Sequence, residues 1–138
     1  MELGEEIDVC SSPQVRHGCL EALMQIHLSG WCHGDARAAN VVKVNRGYKF
    51  IDFLLAYSFS GNDGSHAAAH DLSQFIKSLY ARVQKVSSPD VKLPTGIAQL
   101  IDEYATCFVG SIDRDKAEMI TSRIIAECEE RLCKADKN

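Results

Sequence analysis

His33, Gly34, Asp35, Ala36, Arg37, Ala38, Ala39 and Asn40 form one run of the chain, and Asp52 follows twelve residues after Asn40 with Phe53 beside it. Transfer of a phosphoryl group to a hydroxyl needs a carboxylate beside the attacking oxygen and an oxygen ligand for a divalent metal. It also needs a second acid that bridges metal and phosphates, and positive charge near the group in flight. Asp35, Asn40, Asp52 and Arg37 supply one of each. Taken singly, Asp35 and Asn40 are common turn residues, and an aspartate such as Asp52 often ends a strand. The chemical reading rests on their joint occurrence at these offsets.

The elements around the run must position it. Ser12 and Pro13 read as a cap and a proline at the first helical position, after which Val15, Cys19, Leu23 and Ile26 recur at helical spacing until Gly30 stops the helix. Val41 to Val44 and Tyr48 to Phe53 are runs of strand-forming residues about the turn Asn45-Arg46-Gly47, so a hairpin follows the loop and Asp52 falls at the end of its second strand. Ala56 to Ser65 holds Ser58, Ser60, Gly61, Asn62, Asp63 and Gly64 and reads as a polar, mobile loop. Leu72, Phe75, Ile76, Leu79 and Val83 then define a helix that Ser87-Ser88-Pro89 breaks. Pro94 starts another through Ile97, Leu100, Ile101, Tyr104 and Phe108, and Asp113 caps a last one through Ile120, Ile124, Ile125 and Leu132. The expected fold is α+β and mainly helical, with about four helices and one short β-hairpin.

At 138 residues, 46% hydrophobic and 25% charged, without internal repeat or linker, the chain has the composition of one globular domain over residues 1–138, with 1–11 and 134–138 as flexible ends. A net charge of -4 argues against nucleic acid as a partner, since such surfaces cluster Lys and Arg. The acidic start MELGEEIDVC lacks the apolar run of a signal peptide, and no stretch approaches a membrane span. A cytoplasmic protein off the membrane is expected, with secretion lacking a visible signal left open. The 6 cysteines form no C-x-x-C pair, and reduced thiols are the simpler expectation.

The run from His33 to Asn40 with Asp52-Phe53 resembles the protein-kinase catalytic loop H-x-D-x-x-x-x-N followed by the D-F-G metal motif. The preceding helix, intervening hairpin and following helix come in that family's order. The resemblance covers about residues 12 to 85 and implies a kinase-like C-terminal lobe. It implies Asp35 as the catalytic base, Asn40 and Asp52 as Mg²⁺ ligands that hold ATP through the metal, and Arg37 as the cation near the γ-phosphate. It further implies Asp71, opening the next helix, as the buried acceptor of backbone hydrogen bonds from the loop, and His33 as scaffold beneath it.

The departures carry information too. Gly34 stands where many regulated kinases carry an arginine that pairs with a phosphorylated activation loop, which argues against that mode of control. Leu54 replaces the glycine of the metal motif, only 18 residues separate Asp52 from Asp71, and no A-P-E signature lies between them. These features resemble atypical kinases, small-molecule kinases of the aminoglycoside and choline type, and the kinase-like domains of crinkler-type effectors. Before residue 12 there is no Gly-rich loop and no strand with a phosphate-binding lysine, so the expected partner is an N-terminal lobe or another protein chain. Little activity is expected of this chain alone. The competing expectation is a non-catalytic, pseudokinase-type interaction module whose uncovered apolar surface promotes partner binding or homo-oligomers. A third, an H-x-x-x-H metal site at His66 and His70 beside Asp71, fits poorly with the hairpin, and a solvated helix start is the plainer reading of those two histidines.

Overall fold

The computed structural model describes residues 5–6, 13–45, 47–59, 63–87 and 90–136. Ser12, Arg46, Ser60 to Asn62, Ser88-Pro89, Cys10 and the expected flexible ends 1–4, 7–11 and 137–138 lie outside the described residues, as do the side chains of Val83, Leu132 and Cys133.

Strand β1 (Glu5–Glu6) precedes helix α1 (Pro13–Leu28). The helix ends as a glycine stop should: Ser29 N–H reaches back to Gln25 O, and Gly30 adopts φ 88, a left-handed turn that a Cβ would penalise. Its buried face is Arg16, Cys19, Leu20, Leu23, Met24 and His27, one residue round from the Val15-Cys19-Leu23-Ile26 stripe. The two polar members explain the offset, because each has a polar partner across the fold that apolar periodicity does not reveal.

After β2 (Trp31–Cys32) and a 3₁₀ turn (Ala38–Asn40) come β3 (Val41–Val44) and β4 (Gly47–Phe50). The expected hairpin forms, pairing Val41 with Phe50 and Val44 with Gly47, and β1 adds a third antiparallel strand on the other side of β3. Strand β4 stops at Phe50, two residues before Asp52, because Asp52 turns into the left-handed region at φ 61 and cannot continue a ladder. The helix–sheet approach is close: a Cβ on Gly18 would lie 2.3 Å from the Tyr48 ring, so Gly18 lets β4 close on α1.

A second sheet was not legible. β5 (Tyr57–Ser58) lies within the segment read as mobile loop, yet pairs antiparallel with β2, Trp31 opposite Ser58 and Cys32 opposite Tyr57. Two-residue strands are too short to show alternation. Phe59 N–H extends the pairing to Gly30 O at 2.8 Å.

Helix α2 (Ser65–Gln84) starts six residues before Asp71 rather than at it. Ala67 and Ala68 are buried there, but alanines carry little apolar signal. Asp63 Oδ1 accepts Ser65 N–H at 2.8 Å just ahead of the first turn. Helix α3 (Thr95–Thr106) follows Pro94, and α4 (Arg114–Asp136) is capped by Asp113, whose Oδ1 accepts Lys116 N–H at 3.1 Å. The fold is α+β and mainly helical. α2 packs on α3, α3 on α4, and α1 closes the layer against α4 and β4.

Phe75, Ile76, Leu79, Ile97, Phe108, Ile120 and Ile124 fill the core between these helices, each fully buried. Burial of side chains of this size contributes about 1.5 to 3 kcal/mol apiece before chain entropy is set against it. Arg16 on α1 forms a two-pronged pair with Glu129 on α4, Nη2 to Oε2 at 2.6 Å, which fixes the packing of the first and last helices. Cys19, Cys32, Cys107 and Cys128 are free thiols, and burial pushes Cys19 and Cys128 up to about 12, so both are inert packing groups. Among the described residues no helix is long and apolar enough to cross a membrane.

Candidate functional site

Helix α2 holds the 33–40 loop from below with three polar side chains on one face. Asp71 Oδ2 accepts His33 N–H at 2.6 Å and Asp71 Oδ1 accepts Gly34 N–H at 3.0 Å. One turn on, Gln74 Oε1 accepts Ala36 N–H at 3.1 Å, and a further turn on Ser78 Oγ accepts Ala38 N–H at 3.0 Å. Positions 71, 74 and 78 lie along one stripe of a helix, so the loop is laid down along α2 by its own backbone donors. A loop cannot supply those acceptors itself, and buried N–H groups without partners are costly.

Asp71 is almost wholly buried and is itself braced. His27 Nε2 lies 2.9 Å from Asp71 Oδ2, and His27 Nδ1 lies 2.6 Å from the Tyr104 hydroxyl. An ionised carboxylate only accepts, so Nε2 carries the proton it donates to Asp71. Burial pushes the Tyr104 hydroxyl well up, so it stays an O–H that can donate to Nδ1. Burial alone would raise the Asp71 carboxyl; the bonds from His27, His33 and Gly34 outweigh it and leave Asp71 below the usual carboxylate range.

His33 ties the loop to the segment bearing Asp52. Its Nε2 donates to Ile51 O at 2.7 Å, so Nδ1 is left as the acceptor for Asp35 N–H at 3.0 Å. The ring lies between Phe50 and Phe53, with centroids at 5.4 and 4.8 Å. Ile51 N–H donates to Asn40 O at 2.8 Å. Both ends of Ile51 are thereby anchored to the 33–40 loop, and Asp52 is the next residue, at a positive φ that a non-glycine residue adopts at some cost.

Asp35 and Asn40 face each other across the loop. Asn40 Nδ2 donates to Asp35 O at 2.8 Å and to Asp35 Oδ2 at 3.1 Å. Both amide protons are thus used, which leaves the Asn40 side-chain oxygen, an acceptor, for other partners. Arg37 clasps the Asp35 carboxylate with Nε at 2.8 Å and an Nη at 3.1 Å, and Gln74 Nε2 approaches it at 3.3 Å. The Arg37 hydrogen bonds outweigh burial, and with the Arg37 charge and Asn40 adding to them they hold the Asp35 carboxyl below its usual range. Arg37 is half-exposed at 49%, while Asp35 is 22% exposed, so the guanidinium is the member of the pair with room to swing out.

Gly34 has a steric reason to be glycine. It sits at φ 87, and a Cβ there would meet Leu55 O at 2.3 Å. Any side chain at this position would push the 54–57 segment off the loop. Leu54 and Leu55 are exposed at 87% and 59%, and with Phe53, Tyr57 and Trp31 they add a string of apolar side chains open to solvent near the loop.

Of the residues proposed from sequence, Asp35, Arg37, Asn40, His33 and Asp71 form one hydrogen-bonded group, and Asp52 is joined to it through the backbone of Ile51. An amide oxygen and a carboxylate suit Mg²⁺, which takes a few protein oxygens and completes its shell with phosphate and water. Sequence reasoning missed His27, Gln74, Ser78 and Tyr104. Gln74 and Ser78 had a faint signal, polar positions in step with Asp71 along one stripe of the helix. His27 and Tyr104 lay on apolar stripes and gave none. No protein-family model, curated protein or solved structure matches this chain.

Proposed function

We propose that this chain is the C-terminal lobe of a protein-kinase-like phosphotransferase, acting in ATP- and Mg²⁺-dependent phosphoryl transfer to a hydroxyl. The observation that carries the reading is the double anchoring of Ile51, by His33 Nε2 on its carbonyl and by Asn40 O on its N–H. This brings the residue before Asp52 against the loop that holds Asp35 and Asn40, which supports the reading. In that reading Asn40 Oδ1 and the Asp52 carboxylate hold Mg²⁺, which when bound neutralises charge on the triphosphate. Asp35 orients the acceptor hydroxyl and takes its proton. A carboxylate held below its usual range is a weak base, so its contribution is orientation first and proton acceptance late in transfer. Arg37 leaves Asp35 for the transferred phosphoryl group as that group arrives. An N-terminal lobe on another segment or chain would supply the opposite wall of the nucleotide cleft.

The test is a calorimetric titration of the chain with Mg²⁺-ATP, repeated with Asp52→Ala and Asn40→Ala. Saturable binding that disappears in both variants supports the reading. Binding of equal strength in all three proteins removes it.

A second reading, a non-catalytic interaction module, is favoured by the exposed Phe53, Leu54, Leu55 and Tyr57. Under it, Asp35→Ala and Asp52→Ala leave partner binding intact, while Leu54→Ser with Leu55→Ser abolishes it.

A further inference from the structure

Three of the chain's 5 histidines are engaged: His27 and His33 in the buried network, and His17 on Glu21 Oε1 at 3.0 Å. His66 and His70 are different. They stand four residues apart on the first two turns of α2, are exposed, and make no hydrogen bond with any described residue. Residues at this spacing lie on one face of a helix one turn apart. Both imidazoles line a single cleft of about 250 Å³, whose other walls include Gly34, Leu55, Tyr57 and the buried Asp71.

We infer that His66 and His70 form a two-imidazole site for a late first-row divalent metal such as Ni²⁺, Cu²⁺ or Zn²⁺, separate from the Mg²⁺ site and independent of the phosphotransfer reading. Two imidazoles one turn apart on a helix can reach one ion together, each giving it one ring nitrogen. The negative Asp71 in the cleft wall favours a cation there. Cys32, which also lines the cleft, is buried with its thiol bonded to Tyr57, and burial raises it, so it stays a thiol and does not ligate. Among the described residues no three His, Cys, Asp or Glu side chains converge as a metal cluster. The protein therefore supplies two ligands and water fills the rest of the sphere. Nitrogen ligands select these metals over Mg²⁺, which prefers oxygen.

The experiment is a Ni²⁺ titration of the full, untagged chain by calorimetry, with thermal melts at each metal concentration. His66→Ala and His70→Ala, both at exposed positions, are each expected to weaken binding at least about tenfold and to abolish the metal-dependent rise in melting temperature that the unmodified chain shows. His17→Ala, which removes the histidine already held by a carboxylate, is expected to leave both unchanged. The inference is overturned if the unmodified chain binds no Ni²⁺ up to millimolar metal, if only one of the two variants loses binding, or if His17→Ala loses it as well.

Discussion

Asp71→Asn probes the keystone of the loop. The Asp71 carboxylate receives three donors, His33 N–H, Gly34 N–H and His27 Nε2–H, at 2.6, 3.0 and 2.9 Å, in a fully buried setting. A hydrogen bond to a charged group is worth about 1.5 to 3 kcal/mol, and a buried donor left without a partner costs about 1 to 3 kcal/mol. The three share one acceptor and do not add in full, so removing it with Asp71→Ala should cost about 4 to 6 kcal/mol. That is a large part of the total stability of about 5 to 15 kcal/mol usual for a domain. Asp71→Asn keeps one acceptor oxygen but sets an NH₂ against a donor, and should cost about 2 to 4 kcal/mol. Urea denaturation followed by far-UV circular dichroism gives the energies, and amide hydrogen exchange shows where they act. The His33 and Gly34 amides should lose protection beyond the global change. A cost for Asp71→Asn below about 0.5 kcal/mol, with those two amides still protected, would mean that Asp71 does not hold the loop.

Other perturbations test neighbouring parts. Asp71 and Asp35 both have folded values below their ordinary ones, so their contribution is full above the unfolded carboxyl value, about 3.9, and is lost as pH falls through the lower folded value. Acid titration should therefore loosen the 33–40 loop only below about pH 4, read by the exchange or chemical shifts of its amides; loosening between pH 5 and 7 would contradict it. Arg16→Ala removes the two-pronged donor from the partly exposed Glu129 carboxylate and should cost about 1.5 to 3 kcal/mol in denaturant unfolding, whereas Arg16→Met with Glu129→Leu should recover most of that. Arg37→Ala removes a largely exposed pair and should change stability by less than about 1 kcal/mol while raising the Asp35 carboxyl, which a carboxylate NMR titration follows. Asp52→Gly relieves a positive φ, so stability should hold within about 1 kcal/mol while metal-nucleotide binding is lost; a larger destabilisation would make Asp52 structural instead.

The helices were legible because their signals are local. Pro13, Gly30, Pro94 and Asp113 punctuate the chain where α1, α3 and α4 begin or end. The hairpin was legible for the same reason, as two strand-forming runs about a turn. The pairing of Trp31-Cys32 with Tyr57-Ser58 was not, because it depends on backbone groups meeting across the fold, and backbone groups are the same in every sequence. At the site, residue types and offsets pointed to Asp35, Asn40 and Asp52, but not to what holds them. Gln74 and Ser78 act through their fit to loop N–H groups, and His27 and Tyr104 through burial beside Asp71. Gly34 read as the loss of an arginine, whereas the structure gives it a positive reason, the Leu55 carbonyl where a Cβ would be.

Under the proposed function, Asn40 and Asp52 together hold the metal of a nucleotide. Mn²⁺ substitutes for Mg²⁺ at oxygen-rich sites and broadens nearby NMR signals. The measurement is a titration of the ¹⁵N-labelled chain with Mn²⁺-ATP, repeated with Asp52→Ala. Broadening centred on the amides of Asp35, Asn40 and residues 51–53, and lost in the variant, is the expected result. No broadening there, or the same broadening in Asp52→Ala, would contradict it.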